Sequence, residues 1–204
     1  VIPVIPNVKV AKKMAAAGAT AVVAEGMESG GHVGDMTSMA LWPQVIDAVD
    51  IPVIGAGGVA DGRGLASAMV MGCAGVQMGT AFLVAKECGI SEDYKERVLE
   101  ANDTDTVVTG KFLKHAVRSL KNQLTEKYLN LEFGIVRDEP VQKEMEDLGT
   151  GALRRAVEGD IENGTICAGQ IAGLVKEEAT CAEIIESIIK DAEIILKNAA
   201  TLVE

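Results

Sequence analysis

Ile51-Pro52-Val53-Ile54-Gly55-Ala56-Gly57-Gly58-Val59-Ala60-Asp61-Gly62 runs a β-branched apolar segment into a glycine-rich turn and then into helical text near Arg63. A short apolar run bounded by glycine and followed by a helix reads as a buried strand of a parallel sheet. The same grammar repeats on both sides. Strands are expected at Val1–Pro6, Thr20–Ala24, Pro52–Ala56 and Gly75–Met78, with helices between them at Val8–Ala17, Leu41–Val49 and Arg63–Met71. Repeated strand–helix units predict an α/β fold with a parallel sheet. A complete (β/α)8 barrel takes roughly twice as many units. The pattern therefore leaves two architectures, an open sheet or the second half of a barrel.

The glycine turn also suggests chemistry. Glycines at the end of a strand let backbone N–H groups come close to an anion, and a following helix N-terminus adds a favourable field. Gly55, Gly57 and Ala60 match the spacing of a dinucleotide fingerprint, but that reading needs a carboxylate at the end of the next strand. The next strand ends in Gln77-Met78-Gly79-Thr80 and supplies none. Two successive strands that both end in glycine at a helix start instead suggest a two-sided phosphate cradle made by Gly57, Gly58, Gly79 and Thr80, the arrangement barrels place after strands seven and eight. Plain tight turns are the other reading of these glycines.

A third glycine segment, Ala24-Glu25-Gly26-Met27-Glu28-Ser29-Gly30-Gly31-His32-Val33-Gly34, follows the second strand. His32 stands in it between glycines, on a loop with little packing work. An imidazole there suits proton transfer near neutral pH, or it caps a backbone carbonyl. The second histidine, His115, falls in text read as helical, beside Arg118 and Asn122, where a structural or lid-stabilising role is expected.

From Ser91 to about Glu178 the pattern is irregular and helical, with charged text such as Arg137-Asp138-Glu139-Pro140 and a glycine-punctuated turn at Gly169-Gln170-Ile171-Ala172-Gly173. The end is clearer. Ile184, Ile185, Ile188, Ile189, Ala192, Ile195 and Leu196 recur at helical spacing and predict an amphipathic helix packed on a core. Three regions follow: 1–90 as the part carrying the phosphate site, 91–178 as a helical substrate or lid subdomain, and 179–204 as a terminal helix.

Composition excludes several classes. The 204 residues are 48% hydrophobic with a formal charge of −11, enough apolar text for a core and the wrong sign for nucleic acid. No apolar run is long enough to cross a membrane, and the start has no basic region of a signal peptide. Cys73, Cys88, Cys167 and Cys181 lie 15, 79 and 14 residues apart, without a C-x-x-C pair, so free thiols in a reducing cytoplasm are expected rather than a zinc site.

Taken together, the Gly-His loop, the Gly57–Gly62 turn and Gln77-Met78-Gly79-Thr80 resemble the nitronate monooxygenase superfamily of FMN barrels. His115-Ala116-Val117-Arg118, Lys121-Asn122-Gln123-Leu124 and the Ala168–Leu174 segment are similar to one branch of it, the flavin-dependent enoyl-acyl-carrier-protein reductases of bacterial fatty-acid synthesis. The resemblance runs over essentially the whole chain and begins at what would be strand five. It implies the C-terminal part of a TIM barrel, strands five to eight, with an inserted helical subdomain. It implies FMN contacts at Glu25, Gly30, Gly58, Gln77, Met78, Gly79 and Thr80, with Gly57 beside them and His32 as the active-site histidine. NADH or NADPH would be the electron donor, acyl-carrier protein the partner, a homodimer the assembly and the cytoplasm the location. Glu25 and Val33 stand where the nitronate branch usually has Gln and Arg. Those departures favour the enoyl reductase over nitronate oxidation, which is the alternative activity.

Overall fold

A computed structural model of the protein describes residues 1–134, 139–199 and 201. Four strands, β1 (Val4–Ile5), β2 (Val22–Glu25), β4 (Val53–Ala56) and β5 (Gly75–Gln77), form one parallel sheet in the order β1-β2-β4-β5. Val23 sits opposite Ile54, and Gly55 opposite Val76. Each strand falls inside or within one residue of its expected segment. The intervening helices are α1 (Val8–Ala16), α2 (Ser38–Ile46) and α3 (Gly62–Val70). Asn7 starts α1 by accepting from the Val10 N–H at 3.0 Å, and Asp61 starts α3 by accepting from the Arg63 N–H at 2.9 Å. Such caps satisfy donors that the first helical turn cannot use internally.

The helices bury one face of this sheet around Ile5, Val22, Leu41, Trp42, Val45 and Val53. Trp42 reaches across to donate its indole N–H to the Ala24 carbonyl at 3.0 Å. A Cβ on Gly55 would stand 3.0 Å from the Trp42 ring. The first glycine of the apparent dinucleotide fingerprint is thus a packing position under an indole.

The region after residue 90 departs from the sequence expectation. It is not purely helical: β6 (Thr106–Thr109) and β7 (Val117–Leu120) lie between α5 (Glu92–Glu100) and α6 (Gln123–Glu132), with α4 (Thr80–Leu83) before them. They join β3 (Gly31–His32) in a second, antiparallel sheet ordered β3-β7-β6. His32 therefore lies on a short strand rather than a free loop, and His115 lies in the β6–β7 connection rather than on a helix. Both β6 and β7 are four residues long, too short for their alternation to stand out in charged text.

α7 (Glu139–Gly149) and α8 (Ala152–Val157) complete the region. A second core gathers Tyr94, Val98, Leu120, Ile166, Ala168 and Ala172. Glu139 and Pro140 open α7, while Arg137 and Asp138 lie outside the described residues. Residues Gln170–Leu174 form one 3₁₀ turn. The chain's last long helix, α9 (Cys181–Ala199), forms as expected and packs on α3. Its apolar stripe is wider than the face it buries: Ile188 and Ala192 are buried, whereas Ile189 is 57% exposed. The four cysteines are free thiols. No helix among the described residues is long and apolar enough to cross a membrane.

Candidate active site

Where β2, β4 and β5 end, their following turns enclose a cavity of about 380 Å³. All eight residues singled out around the three glycine segments line it: Glu25, Gly30, Gly57, Gly58, Gln77, Met78, Gly79 and Thr80. The sequence brought these together through the parallel sheet, since successive β-strands of one sheet deliver their C-terminal turns to the same edge.

Gly57 and Gly58 turn the chain after β4 with φ of 87° and 77°, a region that residues with a Cβ rarely adopt. Among the described residues, the N–H groups of Gly58, Val59, Gly79 and Thr80 donate to no protein acceptor. Four unpaired donors from two successive βα turns, all on residues that line the cavity, are the kind of group that can take an anion. No Lys or Arg lines the cavity, so an anion here meets backbone dipoles and no counter-charge. The Thr80 hydroxyl accepts from the Gly169 N–H at 2.9 Å and keeps its own proton free to donate.

The opposite wall shows why its loop holds still. The Glu28 carboxylate accepts from the Ser38 N–H at 2.9 Å, tying the glycine loop to the start of α2. The Glu28 carbonyl accepts from the Gln170 N–H at 2.9 Å. A Cβ on Gly30 would fall 2.6 Å from the Ala168 backbone, so the loop and the 3₁₀ segment approach as closely as bare backbones allow. Glu28, Cys167, Gly169 and Ile171 also line the cavity and escaped the sequence reading. Only the resemblance of Ala168–Leu174 to a known branch hinted at the last two.

Two polar groups in this wall are unusual. Burial pushes the Glu25 carboxyl upward, against smaller opposing pulls from the Ser29 hydroxyl and the His32 charge. The Ser29 hydroxyl lies near that carboxyl but falls short of hydrogen-bond geometry. It is the one buried side-chain polar atom among the described residues without a partner. Buried hydroxyls are normally satisfied, so this one points to a group the cavity is built to take.

His32 does not line this cavity. It lines a second, more apolar one of about 530 Å³, together with His115, Leu113, Val117, Leu124 and Tyr128. Cys167 contributes to both cavities and so forms part of the wall between them. Burial pushes its thiol up to about 11, which keeps it a neutral wall residue and no nucleophile. The His32 strand is fixed by pairing with β7, where Gly31 sits opposite Arg118 and His32 opposite Val117. Buried Arg118 donates from Nε and Nη2 to the Met27 carbonyl at 3.1 and 3.0 Å, and from Nη1 to Thr106 Oγ1 at 3.1 Å. One guanidinium thus holds the glycine–histidine loop against both strands of the hairpin.

A polar, glycine-walled cavity at the carboxyl edge of a parallel sheet, backed by an apolar cavity with histidines at it, is the arrangement of an α/β protein with a small-molecule site at its strand ends. The chain belongs to the nitronate monooxygenase family, whose sequence profile matches residues 1–191. Its fold is similar to that of FabK from Thermotoga maritima, with a TM-score of 0.93 and 42% identity over 99% of this chain and 63% of that one. Among curated relatives, it is 37% identical to the (3aS,4S,5R,7aS)-5-hydroxy-7a-methyl-1-oxo-octahydro-1H-indene-4-carboxyl-CoA dehydrogenase of Mycobacterium tuberculosis, over 100% of this chain and 68% of the relative. It is also 37% identical to a probable nitronate monooxygenase of Staphylococcus saprophyticus, over 89% of this chain and 53% of the relative. The chain thus spans between about half and two thirds of the length of these relatives.

Proposed function

We propose that this chain carries the cofactor site and the catalytic histidine of an FMN-dependent oxidoreductase that reduces the double bond of an enoyl thioester on acyl-carrier protein, using NADH or NADPH. The observation that carries the reading is the pairing of two cavities across Cys167: one with four unpaired backbone donors, the other apolar with His32 at it. The resemblance of the sequence to the enoyl reductases, the likeness to FabK and a relative acting on a carboxyl-CoA thioester support an acyl thioester as substrate. The four-stranded sheet is read as an arc of the family's barrel, strands five to eight.

The cavity suits FMN on its own terms. The donors of Gly58, Val59, Gly79 and Thr80 would meet the phosphate. The unpaired Ser29 hydroxyl and the Glu25 carboxyl, drawn toward its neutral form, would offer hydrogen bonds to the polar edge of the ring system. When bound, FMN supplies hydride transfer between the nicotinamide and the substrate carbon. His32 supplies the proton that the α-carbon needs once negative charge develops on the thioester oxygen. The apolar cavity shelters the acyl chain from water.

A second reading is oxidation of alkyl nitronates with the same cofactor, favoured by the probable nitronate monooxygenase among the relatives. One spectrum separates them. Bleaching of bound flavin by NADH, and its return on adding crotonyl thioester, supports the reductase. A flavin indifferent to NADH but turned over with a nitronate and oxygen supports the other. In either case His32→Ala is expected to keep the flavin spectrum and to lose about 10²–10⁴-fold in turnover. Full activity in that variant would remove His32 from the chemistry.

A further inference from the structure

We infer that His115 is a positioning residue for His32, so that the two imidazoles act as one proton-handling pair at the apolar cavity. The chemistry rests on the reductase reading above, while the geometry stands without it. His32 sits opposite Val117 across the antiparallel β3–β7 pair. His115 lies two residues before Val117, in the connection that leads into β7. The rings do meet: their centroids are 6.4 Å apart and their planes are inclined by 75°. Both are solvent-exposed and both line the same cavity.

The connection that carries His115 is held in place from several sides. Buried Glu132 on α6 accepts from the Gly110 N–H at 3.1 Å and from the Phe112 N–H at 2.7 Å. The His115 N–H closes the loop onto the Gly110 carbonyl at 3.1 Å. Lys114, immediately before it, has φ of 58° and is the one described residue other than glycine with positive φ. Backbone strain of this kind persists where surrounding contacts over-determine a segment, and it gathers at functional sites. The carboxylate clamp and the strained residue together hold the connection that carries His115.

The pair matches the reaction's need for a proton. As the hydride reaches the β-carbon, a proton leaves His32 for the α-carbon and the bonding pair stays on the ring nitrogen. The neutral ring is reprotonated from His115, directly or through one water, and His115 takes its proton from solvent. Other groups around the pair do not compete near neutrality. Tyr128 and Cys167 line the cavity with their pKa values pushed upward by burial. Glu25 on β2 acts on His32 by charge, Lys111 and Lys114 flank the loop at its surface, and Glu132 is committed to the clamp.

The chain has only two histidines, so the imidazole Cε1–H resonances of the protein are two, assignable from single variants. Rings in edge contact are expected to show a cross-ring nuclear Overhauser effect in the unmodified protein. His115→Asn should move the His32 resonance by removing the ring current of its neighbour. The same variant should keep FMN affinity and flavin reduction by NADH. Reoxidation by crotonyl thioester should slow by about 10-fold or more, with one limb of its pH profile lost. His115→Gln serves as the check on folding, and the cross-ring effect in the unmodified protein needs no variant at all. Absence of that effect, with a His32 resonance unmoved in both variants, overturns the pair, as does an unchanged reoxidation profile. If the unmodified protein never passes electrons to the thioester, the reductase reading falls. The resonances then still decide the pair: a cross-ring effect and a moved His32 resonance support it, and their absence removes it.

Discussion

Gly79 and Gly58 look equivalent in the sequence, yet the structure separates them. A Cβ on Gly79 would find nothing within 4 Å, and its φ of −115° suits any residue. Gly58 has φ of 77°, so a side chain there strains the backbone whatever the space. Gly79→Val is therefore expected to weaken FMN binding by at least ~10-fold, because its side chain would stand in the open space of the cavity and keep the phosphate from the N–H, while the melting temperature of the cofactor-free protein stays put. Gly58→Val should lower both. Titration of the cofactor-free proteins with FMN, beside their melting curves, checks this, and unchanged affinity in both variants would remove the cradle. Glu25 gives a pH prediction. Its folded pKa lies above the ordinary 4.5, with burial as the main cause. Below about pH 4.5 it is neutral in both folded and unfolded chains and costs nothing. As pH rises through the folded value, the unfolded chain ionises more readily and stability is lost. Glu25→Gln should thus raise the cofactor-free melting temperature near pH 7 and leave it unchanged near pH 4. The glycine and histidine positions were legible because each has a spacing tied to a strand end. Ser29 and Cys167 were not, since burial and the wall between two cavities arise only when distant segments meet.

At the scale of elements, the parallel sheet was readable because its strands are short apolar runs, three of them leading into glycine turns, whereas the antiparallel one was hidden. β3 has two residues, and β6 and β7 are separated from it by more than seventy positions, so its pairing leaves no local pattern. Arg118 is what makes that sheet specific. Its guanidinium gives three hydrogen bonds in a fixed fork, two to the Met27 carbonyl and one to Thr106. Arg118→Met would leave that part-buried carbonyl without its charged donor, at a cost of about 2–3 kcal/mol, or roughly 5–10 °C in melting temperature. Arg118→Lys should recover little, because a single ammonium cannot reproduce the fork. Hydrogen exchange should report where the loss falls: faster exchange at Val33, whose N–H pairs with the Ala116 carbonyl at 3.0 Å, and unchanged exchange in β2 and β4. Uniform loosening of both sheets would mean that Arg118 supports the whole fold and not the histidine strand alone.

For the whole molecule, the four-stranded sheet has two edges, β1 and β5, and within the described residues neither is paired further. The β1 edge is apolar. Val4 is 48% exposed while its neighbour Ile5 is fully buried, so the pleat turns one side of the strand into the core and leaves the other half exposed. Ile2, before β1, and Ile185 and Ile189 on α9 are also exposed. Unpaired strand edges flanked by apolar side chains seek another chain, and folded proteins normally blunt them with charge or cover. Net charge works against this only weakly, because screening confines the repulsion of −11 charges to about 8–10 Å in ordinary buffer, while edge pairing acts at contact. The 204 residues alone are therefore expected to self-associate at micromolar concentration. Val4→Lys should reverse that with little loss of melting temperature, since the side chain it replaces is half exposed and a lysine stem still covers apolar surface. Sedimentation velocity over a range of concentrations decides the matter. A concentration-dependent shift in the unmodified chain, absent from the lysine variant, fits association through the β1 edge. A monomer in both would mean that the exposed edge is already protected, and association that persists in Val4→Lys would move the contact to α9.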